Sequence, residues 1–297
     1  MTAPTRPARA HAHPATGTVR FAALGDSLTE GVGAPTEQGW RGWSALLAPS
    51  LAADPSAVQH HNLATSGALA GDLAQRQLPA ALALRPHVAA VLAGGNDTLR
   101  AGFDIGGPAA ALDRPLAELS GAGAVLLTAC LPDPGRLLGL PAPLARPLAR
   151  RIAAVNTVVH ELSERHHAVH LHLADLPWLT QRGLLSADRL HPSPLGHLLI
   201  ARRYHAALGE SGFAVGAEPA TVLAPPPPSR AAELWWLATK GTAWLARRSV
   251  DLLPGRLALP AAEAVHRLRG TVAELEARAQ AAAEAAVRAL PPEHRLP

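Results

Sequence analysis

Short apolar runs alternate with segments of helical periodicity between residues 18 and 214. Five of the runs are typical of buried strands, namely Val19–Leu24, Val58–Leu63, Val88–Ala93, Ala124–Cys130 and Ala168–Leu173. Five segments have helical character, namely Trp40–Ala53, Leu69–Ala83, Ala109–Ser120, Leu144–Arg165 and Pro194–Leu208. This alternation is typical of a parallel sheet that is covered on both faces by helices. The pattern therefore predicts an α/β protein with three layers (α/β/α) and a parallel five-stranded sheet.

The pattern changes near residue 215. Residues 215–230 are predicted to be a linker, since Pro225–Pro228 form a short polyproline stretch that acts as a semi-rigid spacer. Residues 231–297 are predicted to form a helical C-terminal extension. Its first part carries Trp235, Trp236 and Trp244 in a basic setting. It could lie on a membrane surface or cover an acyl-binding cleft as an amphipathic helix, or dock on the main domain with its tryptophans buried.

The second part of the extension, Ala261–Leu290, is predicted to be a long helix rich in alanine, glutamate and arginine. Apolar residues follow heptad spacing from Val265 to Ala289, although Gly270 interrupts the pattern and most of the later positions are alanines, which pack weakly. Two interpretations are open: self-association through this helix, or an exposed alanine-rich helix.

Composition narrows the class of protein. The chain has 297 residues, of which 48% are hydrophobic and 17% charged, and its formal net charge is +4. These values are ordinary for a folded globular protein. No dense basic run with interleaved aromatic residues indicates a nucleic-acid partner. Residues 1–17 lack the apolar core of a secretory signal and are predicted to be a disordered tail, so we expect a cytoplasmic protein.

Two motifs far apart in sequence suggest catalytic chemistry. Ser27 follows an apolar strand in the turn Gly25-Asp26-Ser27, and Asp188 precedes His191 by three residues. A serine hydroxyl becomes a useful nucleophile when an imidazole accepts its proton and a carboxylate fixes the imidazole tautomer. We therefore expect Ser27 to be the nucleophile, His191 the general base and Asp188 its orienting partner. The alternatives are a helix-capping serine and a structural loop histidine.

Two further blocks lie between these ends: Gly67 in Asn62–Ala68, and Asn96 in Gly94-Gly95-Asn96-Asp97. Together with the motifs of Ser27 and His191, these two blocks resemble the four motifs of the SGNH (GDSL-type) hydrolase family and stand in the same order. The resemblance covers about residues 18–214. The resemblance implies an SGNH/flavodoxin-like fold, a serine nucleophile and no metal or cofactor. It also implies an oxyanion hole formed by the backbone N–H groups of Ser27 and Gly67 and the side-chain amide of Asn96.

The activity that we expect is hydrolysis of small or lipid-like acyl esters through an acyl-serine intermediate. A carbohydrate O-deacetylase and a thioesterase are open alternatives, with Trp40, Trp43 and Trp178 as the aromatic residues that could stack on a sugar. A non-catalytic binding protein is a further alternative from a different class.

Other reactive residues are interpreted as structural. Cys130 is the single cysteine, so an intrachain disulfide is excluded, and its place at the end of an apolar strand indicates a small buried side chain. Four histidines are concentrated in one segment: His166, His167, His170 and His172. A metal site there is possible in principle, but we expect surface or strand-edge histidines.

Overall fold

The computed structural model describes residues 17–181, 183–213, 215–220, 231, 235 and 263–291. Five strands form one parallel sheet: β1 (Val19–Gly25), β4 (Val58–Asn62), β5 (Val88–Leu92), β6 (Val125–Cys130) and β7 (Val169–His172). Their order across the sheet is β4-β1-β5-β6-β7. The short β2 (Pro35–Thr36) and β3 (Gly39–Trp40) form an antiparallel pair beside it. The predicted three-layer parallel fold is confirmed, and each predicted strand agrees with the structure to within one residue at either end.

The described parts of the chain contain nine α-helices. They are α1 (Ser27–Glu30), α2 (Trp43–Leu47), α3 (Ala70–Asp72), α4 (Leu78–Leu84), α5 (Gly106–Gly121), α6 (Pro134–Leu137), α7 (Ala142–Arg165), α8 (Pro194–Glu210) and α9 (Val272–Arg288). A π-helical turn, Leu73–Gln77, joins α3 directly to α4. A further helical segment at 263–268 precedes α9.

The hydrophobic core lies on both faces of the sheet because the central strands are apolar throughout. Phe21 and Ala23 of β1 point into the layer that contains α2 and α8, whereas Ala22 and Leu24 point into the layer that contains α5 and α7. Alternate residues of a strand face opposite sides, so a continuous apolar run is what a doubly covered strand requires.

Local sequence signals predicted the first residue of α8 correctly and that of α2 wrongly. The Ser193 side chain accepts a hydrogen bond from the Gly196 N–H, and Pro194 begins α8, as the capping pattern predicts. The helix predicted from Trp40 is shorter in the structure. Trp40 pairs with Pro35 in the small antiparallel sheet, so α2 begins only at Trp43 and continues as a 3-10 turn, Ala48–Leu51.

The C-terminal helix α9 packs along α7 and α5. Its buried or half-buried side recurs about every 3.6 residues, at Val272, Leu275, Ala279, Ala283, Ala286, Val287 and Leu290. Ala282 and Ala289, which heptad spacing selects, are exposed. A straight α-helix drifts away from a seven-residue repeat, and this accounts for the shift of the packed face by one residue. Gly270, at φ +68°, separates α9 from the segment at 263–268.

The remaining C-terminal predictions meet the structure only in part. Residues 1–16 and most of 221–262 lie outside the described residues, and within the tryptophan-rich segment only Trp235 is described there, with a side chain that is 72% exposed. The domain boundaries and self-association stay predictions. None of the helices in the described ranges combines the length and apolarity needed to cross a membrane.

The sheet order places a crevice at its centre. The strand order reverses between β1 and β5, since the chain adds β4 on one side and β6 and β7 on the other. In open parallel sheets, ligands bind outside the carboxyl ends of the strands at such a point. Ser27 follows β1 and Asn96 follows β5, so both candidate residues lie at this position.

Candidate active site

Ser27 is the first residue of α1, and the neighbouring Asp26 caps that helix. The carboxylate of Asp26 accepts a hydrogen bond from the Leu28 N–H at 3.1 Å. Ser27 is therefore not the capping residue, which was one alternative for it. Its hydroxyl instead donates to Nε2 of His191 at 2.8 Å.

His191 and Asp188 lie together on the loop between Leu185 and Pro192, two residues that form an isolated antiparallel bridge. Nδ1 of His191 donates to Oδ2 of Asp188 at 2.6 Å. Both side chains are about nine-tenths buried. The imidazole thus has a proton on Nδ1 and a lone pair on Nε2, which is the tautomer that can accept the serine proton.

Asp188 is held as a carboxylate by its surroundings. Its Oδ1 accepts hydrogen bonds from the Ser186 hydroxyl at 2.7 Å and from the backbone N–H groups of Leu190 and His191, both at 2.9 Å. Burial raises the pKa of this carboxyl, but the hydrogen bond and the charge of His191 together with these donors outweigh it and lower the pKa to about 2.

Asn96 connects the loops that carry the other candidate residues. Its Nδ2 donates to Oδ2 of Asp26 and to the carbonyl of Ala68, both at 3.1 Å. These acceptors are the immediate neighbours of Ser27 and Gly67. Gly67 has φ +84°, a conformation that residues with a Cβ rarely adopt. The structure therefore brings the three proposed oxyanion donors into one hydrogen-bonded group of loops.

A cavity of about 110 Å³ opens beside Ser27 and His191. Its wall is mainly apolar, with side chains from Leu28, Leu99, Leu131, Ile152, Leu173 and Trp178. Among the described residues that line it, Asp26 and His191 are the ionisable ones. Such a cavity favours an apolar group next to the reacting serine.

Two residues that sequence reasoning missed, Gln77 and Asn156, hold the site in place. Gln77 makes two hydrogen bonds with the backbone of Gly25, at 2.8 and 2.9 Å. Asn156 does the same for Leu131 of the cavity wall, at 2.7 and 2.8 Å. Both are amide side chains in helical segments, but their backbone partners are distant in sequence, so no local signal indicated them.

Gly33 allows the chain after α1 to lie close to the loop that carries His191. It has φ +103°, and a Cβ at this position would lie 2.0 Å from the carbonyl oxygen of Pro192, next to His191. Only glycine therefore lets the chain after α1 pack this closely on the His191 loop.

Comparison with known proteins agrees with this architecture. The model of the GDSL-like Lipase/Acylhydrolase family matches residues 23–199. No curated protein resembles the chain closely enough to count as a match.

Solved structures share the fold at low sequence identity. The enzyme LAE5 from the metagenome of Lake Arreo is 22% identical, with a TM-score of 0.52 over 65% of this chain and 96% of its own. A variant of Axe2, an acetyl-xylooligosaccharide esterase from Geobacillus stearothermophilus, is 20% identical, with a TM-score of 0.53 over 68% and 98%. A lipase/acylhydrolase from Enterococcus faecalis is 18% identical, with a TM-score of 0.52 over 69% and 100%.

The family model covers more than half of the chain and includes the Ser27 turn, the Asn96 loop and His191. The sheet order and the helices on both faces agree with it. The chain therefore belongs to the GDSL-like Lipase/Acylhydrolase family.

Proposed function

We propose that this protein is a serine ester hydrolase that cleaves small or lipid-like acyl esters. The observation that carries the proposal is the hydrogen-bonded series Ser27–His191–Asp188 at the mouth of an apolar cavity, with distances of 2.8 and 2.6 Å. Nucleophile, base and orienting carboxylate stand in the arrangement that acyl transfer requires.

The reaction would proceed in two halves. Oγ of Ser27 attacks the ester carbonyl carbon while Nε2 of His191 takes the hydroxyl proton. The tetrahedral intermediate collapses when the imidazolium returns this proton to the leaving alcohol, and an acyl-serine remains. His191 then takes a proton from a water molecule as it attacks the acyl carbon, and the imidazolium returns this proton to Oγ of Ser27 when the acyl–oxygen bond breaks, which releases the carboxylic acid and the free serine.

The developing oxyanion would be stabilised by the backbone N–H groups of Ser27 and Gly67 and by the side-chain amide of Asn96. Nδ2 of Asn96 already contacts Oδ2 of Asp26 and the carbonyl of Ala68. We therefore expect the oxyanion to share one of its N–H groups in a three-centre hydrogen bond. Loss of one such donor costs about 3 kcal/mol of transition-state stabilisation.

The cavity favours an acyl group over a sugar. Trp43, one of the residues considered for sugar stacking, is fully buried and packs on Tyr204, with ring centroids 4.8 Å apart. Trp40 is 44% exposed but belongs to the small antiparallel sheet. Trp178 lines the cavity, which keeps a carbohydrate O-deacetylase as the second candidate.

The decisive experiment measures initial rates on nitrophenyl esters from acetyl to long-chain acyl groups. We expect turnover by the wild type and by Ser56→Ala, an exposed serine hydrogen-bonded to Asp54, and none above background by Ser27→Ala. A fluorophosphonate probe should label the wild type at Ser27 even if none of the esters is a good substrate. Equal rates for Ser27→Ala and the wild type would refute the proposed nucleophile.

Substrate choice is tested on the cavity wall. Leu99→Trp should fill part of the cavity and move the optimum to shorter acyl chains, whereas Leu144→Trp, at a position 42% exposed, should leave it unchanged. Preferred turnover of acetylated xylooligosaccharides would favour the O-deacetylase, and preferred turnover of acyl thioesters a thioesterase.

A further inference from the structure

Four metal-binding side chains converge at one end of the sheet, from three different elements. Cys130 ends β6, His160 lies on α7, and His170 and His172 lie on β7. One ligand atom from each lies within 4.8 Å of the corresponding atoms of the other three. We call these four residues the Cys–His cluster.

The three imidazoles of the cluster face one another closely. The ring centroid of His160 lies 4.6 Å from that of His170 and 5.0 Å from that of His172, and the latter two are 5.0 Å apart. Nε2 of His160 and Nε2 of His170 are both buried, and no hydrogen-bond partner for them exists in the part of the chain that the structure describes. Buried polar nitrogens without a partner are costly, and a bound cation would satisfy both.

His170 is already oriented as a metal ligand would be. Its Nδ1 lies 3.0 Å from the Thr128 hydroxyl and 3.1 Å from the Ser163 hydroxyl. The Ser163 hydroxyl donates to the carbonyl of Val159, so it accepts from its other neighbours. A proton on Nδ1 of His170 satisfies this arrangement and leaves the lone pair on the buried Nε2, in the way that ligating histidines use their second nitrogen.

Burial lowers the pKa of two of the histidines, His160 and His170, and raises the pKa of the thiol. Burial, followed by the charges of His160 and His172, lowers the pKa of His170 to about 3. Burial raises the pKa of the Cys130 thiol, while backbone hydrogen bonds with Ala174 and Leu173 oppose that effect. Neutral imidazoles are the form that binds a metal, and the thiol must release its proton.

We propose that Cys130, His160, His170 and His172 bind one zinc ion. Zinc prefers four nitrogen and sulfur ligands in a tetrahedron, and this set offers three imidazole nitrogens and one thiolate. Ligands at about 2.0–2.3 Å from zinc lie about 3.5 Å from each other, so small side-chain rotations close the site. His172 is exposed and gives the ion a path from solvent.

The proposed ion would be structural and separate from the acyl-transfer chemistry. None of the four ligands lines the described cavity, and four protein ligands leave no open position for a substrate. Leu131 and Leu173, which follow Cys130 and His172 in sequence, do line the cavity. Zinc would therefore hold together the ends of β6 and β7 from which two residues of the cavity wall extend.

The test uses the full chain without an affinity tag, treated with chelator and then freed of it. Zinc is added against a chromophoric competitor, and cobalt is added separately to detect the thiolate-to-metal charge-transfer absorption. We expect one zinc per chain, the cobalt–thiolate band, and a higher melting temperature with zinc than without. Cys130→Ser should abolish the band, and His172→Asn should weaken zinc binding by about 100-fold or more.

His167→Asn is the matched control. His167 is an exposed neighbour of the cluster in sequence but not a member of it, and its φ of +52° suits asparagine. It should bind zinc as the wild type does. Because His172 is exposed, its substitution should leave the apo protein folded, as an unchanged melting temperature in chelator would verify. Wild-type zinc affinity in both Cys130→Ser and His172→Asn, or no cobalt–thiolate band in the wild type, would overturn the proposal.

Discussion

The side chain of Gln77 is hydrogen-bonded to both the N–H and the carbonyl of Gly25, two residues before Ser27. Gln77 is 6% exposed and ends the π-helical turn that joins α3 to α4. π-Helical turns are frequent at functional sites. Here the turn directs an amide onto the backbone that presents the proposed nucleophile.

Gln77→Met should therefore impair both stability and catalysis. The change leaves the buried N–H of Gly25 without its acceptor, and we expect a loss of about 2 kcal/mol in the free energy of unfolding. The turnover number should fall because the Ser27 turn is held less firmly. Denaturant unfolding and steady-state kinetics measure the two effects. Gln59→Met, at an exposed position on β4, is the control. A free energy of unfolding and a turnover number equal to those of the wild type in Gln77→Met would show that the two hydrogen bonds do not stabilise the Ser27 turn.

Gly33→Ala should reduce activity with a smaller effect on folding. The added methyl group would collide with the carbonyl of Pro192 and push the His191 loop away from Ser27. A displacement near 1 Å costs about 100-fold in rate, so kcat should fall by that order. Gly39→Ala is the matched control, since Gly39 also has a positive φ, but a Cβ added there would meet no atom of the described residues within 4 Å. If kcat fell equally in Gly33→Ala and Gly39→Ala, the loss would come from backbone strain and not from the collision with Pro192.

Asp188→Asn should lower kcat by about 10⁴-fold, because an amide at this position favours the wrong imidazole tautomer. Since the pKa of Asp188 is about 2, its carboxylate remains ionised down to about pH 3. Loss of the Asp188 charge should therefore not reduce the wild-type rate on a neutral ester above about pH 3. A pH–rate profile measures this, and wild-type activity in Asp188→Asn would contradict the role of the carboxylate.

His197 should make folding stability sensitive to acid. It is fully buried, accepts a hydrogen bond from the Trp43 N–H at 3.2 Å and donates to the carbonyl of Val32 at 3.1 Å. Burial lowers its pKa from 6.5 to about 4. The unfolded chain thus binds a proton below pH 6.5 that the folded chain refuses until about pH 4. Stability should fall by about 3 kcal/mol between these values from His197 alone.

Urea unfolding in chelator across this pH range measures the effect. His197→Asn should be less stable at neutral pH, because both hydrogen bonds are disturbed, but should lose less stability on acidification than the wild type. A smaller slope remains, since burial also lowers the pKa of His60 to about 4 and that of His170 to about 3. Leu144→Trp, which changes an exposed residue that does not titrate, should keep the wild-type slope. An unchanged slope in His197→Asn would contradict the prediction.

Adjacent alanines of α9 distinguish docking on the domain from self-association. Ala283 is fully buried against the main domain, whereas Ala282 is exposed. Ala283→Glu should undock α9 and lower the melting temperature, because it forces a charge into an apolar contact. Ala282→Glu should leave the melting temperature unchanged. If Ala282→Glu instead alters the oligomeric state in light scattering, the heptad face forms an interface between chains.

The fold was predictable from the sequence because each central strand is buried on both faces and appears as a continuous apolar run. Ser27, Asn96 and His191 were also recognisable, since each stands in a short motif at a strand end or in a loop. The hydrogen bonds from Gln77 to Gly25 and from Asn156 to Leu131 were not predictable, because a polar residue within a helix does not specify its distant partner. The packed face of α9 was displaced because alanine-rich sequence fits periods of 3.5 and 3.6 almost equally well.

The Cys–His cluster was missed for a related reason. Sequence reasoning grouped His166 and His167 with His170 and His172 by proximity. In the structure His166 contacts Asp113 at 2.7 Å, and the other members of the cluster come from β6 and α7. Ligands contributed by neighbouring parallel strands are separated by a crossover helix in the sequence, so no short spacing reveals them.

The loop from Leu185 to Pro192 contains both Asp188 and His191 and is closed by its own backbone bridge. The geometry of the hydrogen-bonded pair Asp188 and His191 is therefore set within eight residues, and tertiary folding has to establish the distance from His191 to Ser27. An irreversible serine-directed inhibitor would then react at a rate that reports the docking of this loop. Under heat or denaturant, a fall in this reaction rate would detect detachment of the loop from Ser27 before the sheet unfolds.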